Sequence, residues 1–263
     1  MKIGIITSWM ETLALFRFLT RYNHEYIIYF DSLNAPYWEK HFESSLKNIK
    51  KGIDYLKEKW VDTIILPPCY ELSLIEKEPL VLPLFKTYLF QEVFTYSLVG
   101  KLGLAWEYAD LEKGQELIED LSKNYQPSLT QKTTKKFSYP FHYRSKEMGV
   151  LNPLLTRLSW KSLLTNTLIK QEFRYFKDAN VDTVIPLNYL YFNGERTLSK
   201  FLNFKKIRFH KLEKLEKIFT ELVNKESKYE VQIHATDQKD FLLREKRMIW
   251  LLQRGKSVSI QRL

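Results

Sequence analysis

The feature that most constrains this chain is an internal repeat. Val61-Asp62-Thr63-Ile64-Ile65 recurs as Val181-Asp182-Thr183-Val184-Ile185, and Lys2-Ile3-Gly4-Ile5-Ile6 recurs as Lys101-Leu102-Gly103-Leu104-Ala105. Each half therefore reads as an early strand, helical material, and a later strand introduced by Val-Asp-Thr. Two halves built this way end their later strands at equivalent places. A site between them draws one residue from each, here Pro68 or Cys69 from the first and Asn188 from the second.

A pass along the chain gives apolar, β-branched runs at 2–7, 26–30 and 61–67, the last stopped by Pro67-Pro68. Helical spacing of apolar residues covers 11–21 and 39–58, and helix, a short strand at 80–83 and a helix at 84–97 complete the first half. The second half opens with a strand at 101–105 and a helix at 108–122. Residues 124–153 are polar and proline-interrupted and are expected to form a loop or lid. A helix at 160–178, a strand at 182–186, a helix near 195–202 and a strand at 206–209 follow. A helix at 211–224, a strand at 229–234, a helix at 237–252 and an edge strand at 257–261 close the chain. The alternation predicts an α/β fold of two similar doubly wound parallel-sheet halves facing each other across a cleft. The expected units are 1–97 plus 206–263, and 98–205. Ligands of such sheets bind beyond the carboxyl ends of the strands, where Thr7, Ser8, Asp31, Cys69, Trp106 and Asn188 fall.

Composition narrows the function classes. No run of about 18 apolar residues exists to span a membrane, and the N-terminus enters a strand directly, so neither a membrane span nor a signal peptide is expected. The single cysteine, Cys69, excludes an internal disulfide and points to a reducing, cytoplasmic setting. The five histidines (His24, His41, His142, His210 and His234) lack close ligand spacing, so no metal is expected. Glycine is scarce, at 8 residues, with no phosphate-binding loop and no nucleophile elbow. No cofactor is expected. The net charge of +10 is spread along the chain. Its densest patches, Lys132 to Lys136 and Arg244 to Arg247, match no nucleic-acid signature, so nucleic acid is not the expected partner.

With these residues in view, the chain resembles the glutamate racemase family of the Asp/Glu racemase superfamily over nearly its full length. Ile3 to Ser8 stand where the family has a strand ending in Asp-Ser-Gly. Tyr29-Phe30-Asp31 and Pro36-Tyr37-Trp38 stand where it has Tyr-Phe-Gly-Asp and Pro-Tyr-Gly. The two Val-Asp-Thr strands precede the positions of its two catalytic cysteine motifs, Tyr191 keeps the tyrosine of the second, and Lys101-Leu102-Gly103-Leu104 with Gly114 fit the opening of its second domain. The resemblance implies cofactor-independent, two-base proton transfer between thiols on opposite faces of a substrate carbon.

The chemistry departs from that pattern. The second cysteine position is Asn188, whose amide is no base, and the neighbouring histidine position is Leu190. The first cysteine position is Pro68 in ungapped register, with Cys69 one place later. The substrate-holding turns read Thr7-Ser8-Trp9, Pro36-Tyr37-Trp38 and Trp106-Glu107, which puts three of six tryptophans at pocket positions. Tryptophan blocks the close backbone approach that glycine permits. Two roles stay open for these rings, lining a pocket or filling it. Cys69 is either a lone acid/base thiol or a small buried hydrophobe, and Asn188 either a ligand-orienting amide or a loop cap.

The expectation is a divergent racemase-like pseudoenzyme that binds a small ligand in the cleft, an amino acid or other small carboxylic acid. Thr7, Ser8, Trp9, Pro36, Tyr37, Trp38, Trp106, Glu107 and Tyr189 would line the site. The alternative is an active glutamate or aspartate racemase or isomerase with Cys69 as its only thiol and Asn188 in support. A third class is an interaction module using the basic surface. The sequence leaves a homodimer open.

Overall fold

The computed structural model describes residues 1–8, 11–106, 111–123, 125, 141–149, 151, 154, 162–225, 227–237 and 258–262. In chain order the strands are β1 (Lys2–Thr7), β2 (Glu25–Phe30), β3 (Thr63–Ile65), β4 (Lys101–Trp106), β5 (His142–Glu147), β6 (Thr183–Pro186), β7 (Glu230–Ala235) and β8 (Val258–Arg262). The helices are α1 (Phe16–Leu19), α2 (Phe42–Glu58), α3 (Pro68–Leu74), α4 (Leu84–Tyr88), α5 (Leu111–Lys123), α6 (Leu163–Asp178), α7 (Glu195–Phe204) and α8 (Leu212–Leu222). Two parallel sheets result, one ordered β3-β1-β2-β7-β8 and the other β5-β4-β6. The fold is α/β, with two parallel-sheet halves.

The internal repeat has a structural meaning. β1 pairs with β3 through Ile3 and Thr63, and β4 pairs with β6 through Leu102 and Thr183. The aspartate N–H before each later strand donates to the lysine carbonyl that opens the earlier one: Asp62 to Lys2 and Asp182 to Lys101, both at 2.8 Å. The preceding helices end alike, with Trp60 after α2 at φ 55° and Asn180 after α6 at φ 58°. Gly4 and Gly103 give those helices room. A Cβ on Gly4 would meet Leu56 at 2.8 Å, and one on Gly103 would meet Phe176 at 2.6 Å. Ile3, Ile5, Ile64, Ile65, Leu102, Leu104, Val184 and Ile185 are buried in the core, which suits apolar parallel strands covered by helices.

Several expected elements differ in detail. The 124–153 segment is not all loop, because His142–Glu147 form β5, an edge strand parallel to β4. Its sequence, His-Tyr-Arg-Ser-Lys-Glu, is charged because an edge strand is half solvated, and that polarity hides it from a search for apolar runs. Residues 124 and 126–140 lie outside the described residues. The helix expected at 11–21 is a 3₁₀ turn, Thr12–Leu15, followed by the single turn α1. The helix expected at 84–97 is α4 continued by a π-helical turn, Leu89–Phe94. The strands expected at 80–83 and 206–209 are single bridges, Ile64 with Val81 and Thr183 with Arg208. The helix expected at 237–252 lies outside the described residues. β8 extends the first sheet at its edge, parallel to β7. Among the described residues, no helix is long and apolar enough to cross a membrane.

Candidate functional site

The halves meet through the segments that follow their strands. The Thr12–Leu15 turn after β1 packs on the 3₁₀ turn Tyr189–Gly194 after β6, and α3 after β3 packs on α5 after β4. Exchanging the halves interchanges these two contacts. Arg17 strengthens the first, donating from Nη1 to the Phe192 carbonyl at 3.2 Å. The carboxyl ends of β1, β3, β4 and β6 are thus brought to one place, as the strand pattern predicts.

Cys69 is the second residue of α3 and is buried. Pro68 opens the helix, where its missing N–H costs nothing. Trp106 ends β4 and is 1% exposed. Its benzenoid edge presses on Gly114 of α5: a Cβ there would lie 2.1 Å from Cζ3 of the ring, 2.5 Å from Cη2 and 3.2 Å from the Cys69 Sγ. Indole and thiol therefore share one contact point, and only glycine fits beneath them. The Trp106 carbonyl accepts from the Tyr191 hydroxyl at 3.0 Å, which pins the strand end to the opposite motif. The Trp106 Nε1 is buried with no hydrogen-bond partner among the described residues. Of the two roles open to this ring, filling describes its benzenoid edge, while its N–H remains an unmet donor.

Asn188 is buried and caps the Tyr189–Gly194 turn, its Oδ1 accepting from the Leu190 N–H at 2.8 Å. That is the loop-cap role. Leu190 and Tyr191 are fully buried in the core. Tyr189 is also fully buried, edge-on to Phe85. Its hydroxyl feels the Glu71 carboxylate without reaching hydrogen-bond geometry, and burial, then Glu71, push its pKa well up.

Glu71 is a residue that sequence reasoning passed over. It lies two places after Cys69 on α3 with no exposed surface. Its carboxylate accepts from the Phe85 N–H at 2.8 and 2.9 Å and from the Lys86 N–H at 2.8 Å, capping α4. Burial pushes its pKa up to about 8, against the opposing pull of those N–H groups. A signal was present in the sequence, an acid one turn inside a helix that otherwise reads as buried.

The candidates after β1 and β2 are bound to one another. Ser8 donates from N and from Oγ to Glu11 Oε1, both at 2.8 Å, and its Oγ accepts from the Tyr37 N–H at 2.8 Å. The Tyr37 hydroxyl donates to Asp31 at 2.9 Å, and Asn34 donates to the same carboxylate. Burial, then Asp31, push the Tyr37 pKa well up. Thr7 is buried, and its carbonyl accepts from the Asp31 N–H. Pro36 follows a cis peptide bond. Tyr37 meets Tyr70 edge-on, and Tyr70 stacks on Phe42. Trp38 lies in the Tyr37–Glu39 turn, but its side chain, like Trp9 and Glu107, is outside the described residues. Among the described residues, no cluster of three or more His, Cys, Asp or Glu is placed to hold a metal ion.

A two-half α/β fold with strand ends converging between the halves defines a class, and solved structures share it. Glutamate racemase from Thermus thermophilus, in complex with β-chloro-D-alanine, superposes with a TM-score of 0.73 at 14% identity, covering 100% of this chain and 96% of that one. The Francisella tularensis enzyme, in complex with D-glutamate, gives 0.72 at 14% identity, covering 100% and 97%. The Aquifex pyrophilus enzyme gives 0.67 at 19% identity, covering 99% and 98%. The fold is therefore that of these glutamate racemases. No protein-family model matches the sequence, and no curated protein does.

Proposed function

We propose that this protein is a non-racemising relative of the glutamate racemases that binds a small amino or carboxylic acid where its two halves meet. The observation that carries this reading is the contact of the Trp106 indole with Gly114 and the Cys69 Sγ. Two-base transfer needs a substrate carbon between two titratable groups. Here one position is the Asn188 amide, spent on capping Leu190, and a tryptophan ring lies beside the lone thiol. Ligand binding is supported by the Trp106 Nε1, a buried donor without a partner among the described residues, which an acceptor oxygen of a bound acid would satisfy. We infer a reducing, cytoplasmic setting from the single cysteine of the sequence.

Thermal shift and tryptophan fluorescence with L- and D-glutamate and L- and D-aspartate test the reading. The wild type should be stabilised by at least one acid, and Trp106→Phe, which keeps a ring but removes the N–H, should lose most of that shift. Equal shifts in both proteins would remove the donor from the site, and no shift with any acid would remove this ligand class.

A second reading is favoured by one observation. Glu71, whose pKa burial raises to about 8, influences Tyr189, which Cys69 also influences. A carboxyl that titrates there could serve as the second base for Cys69 in racemase or isomerase chemistry. Its three backbone N–H bonds argue instead for a structural cap.

A further inference from the structure

The sequence disperses its basic residues, and the fold gathers some of them. Lys170, Gln171, Arg174 and Lys177 of α6, with Phe201 of α7 and the following Lys205, line one open groove of about 390 Å³. Lys170, Arg174 and Lys177 follow i, i+4, i+7 spacing, so they form one stripe on α6 roughly 10 Å long. None of the four cations is in an ion pair among the described residues. Glu172, between the stripe residues in sequence but on another face of α6, is engaged by Lys146 of β5 at 2.9 Å, and Asp178 lies at the helix end. Among the described residues, no acid lines the groove.

One ring beside the groove is exposed. Phe204 follows Phe201 by one helical turn and is 80% exposed, an unusual position for a phenylalanine on a helix with a buried face. The Lys205 Nζ lies 4.7 Å from the centre of its ring. Cations spaced about one helical turn apart, beside one exposed ring, are what an unpaired nucleotide strand requires: charge for successive phosphates and a flat face for a base. A free acidic peptide would use the cations and leave the exposed ring idle. The net charge of +10 adds long-range attraction for a polyanion.

We propose that the groove between α6 and α7 binds single-stranded nucleic acid, through Lys170, Arg174, Lys177 and Lys205 to phosphates and through the exposed Phe204, beside Lys205 at the groove's edge, to a base. This site is independent of Cys69 and Trp106.

Fluorescence anisotropy with a short labelled oligothymidylate and oligouridylate tests it, from about 50 to about 200 mM salt. The wild type binds, and the double variant Lys170→Gln/Arg174→Gln binds roughly tenfold or more weakly. Its plot of log K against log salt is shallower by roughly 1.4, about 0.7 for each phosphate left without its cation. Phe204→Ala, at an exposed position that leaves the core intact, weakens binding roughly fivefold or more with the salt slope unchanged. Lys50→Gln, an exposed lysine on α2, changes neither quantity. Absence of binding, an equal loss in Lys50→Gln, or an unchanged affinity in Phe204→Ala would overturn the proposal. So would competition by polyglutamate or free ATP as effective as unlabelled oligonucleotide, since either would assign the groove to a different anion.

Discussion

Gly114 and Trp106 make the sharpest statement at the scale of a residue. With a Cβ on Gly114 only 2.1 Å from the ring, Gly114→Ala must displace the indole. The variant should be destabilised by about 1–3 kcal/mol, with altered tryptophan emission, both read in one denaturant titration. Trp106→Ala removes a buried ring and should cost about 3–5 kcal/mol. It should also expose Cys69 to a thiol reagent that labels the wild type slowly, and unchanged labelling would mean that the ring does not shield the thiol. Glu71 makes a pH-dependent prediction. Burial pushes its pKa from 4.5 to about 8, so between those values the unfolded chain has shed a proton that the folded chain keeps. The contribution of this group to stability therefore falls as pH rises through that window, by up to about 1.4 kcal/mol per pH unit, and levels off above it. Glu71→Gln should remove this slope in a chemical-denaturation series from pH 6 to 8 (a window set by the shift), and an unchanged slope would show that the carboxyl is already ionised in the fold. At this scale the sequence was only partly legible. Cys69, Trp106 and Asn188 stand out as departures from a pattern, but the Gly114 contact and the Glu71 bonds to Phe85 and Lys86 join residues whose proximity depends on helix packing.

At the scale of elements, the repeat supplies its own control. Trp60 and Asn180 close equivalent helices in the left-handed region, where a bulky side chain is strained and asparagine is tolerated. The Trp60 ring is 86% exposed, so little packing compensates. Trp60→Asn should raise stability by about 0.5–1 kcal/mol, and Asn180→Trp should lower it by a similar amount. A shift of the denaturation midpoint in the wrong direction for Trp60→Asn would mean that the exposed indole has a stabilising contact. Element identity was legible wherever burial imposed a period, as in β1, β2, β4, α2 and α6. It failed at β5, where an edge strand is charged, and at Thr12–Leu15, where a 3₁₀ turn stands in an expected helix. Neither is written in local hydrophobicity.

At the scale of the whole molecule, the two halves place matched strand ends together, and their contacts interchange when the halves do. That frame was legible because Val-Asp-Thr and Lys-x-Gly mark the same backbone bonds twice, Asp62 to Lys2 and Asp182 to Lys101. On the proposed reading, racemase chemistry would rest on two side chains, and the residues expected at those places are a thiol near a tryptophan ring and an amide occupied by its own loop. With those two groups, two-base proton transfer should be absent. Cα–H exchange of L- and D-glutamate and L- and D-aspartate in D2O, followed by NMR with wild type and Cys69→Ala, tests this without an intermediate step. No exchange above the buffer rate is expected for any of the four acids in either protein. Exchange that is present in the wild type and lost in Cys69→Ala would contradict the proposed loss of racemase chemistry and establish a working thiol base in the site.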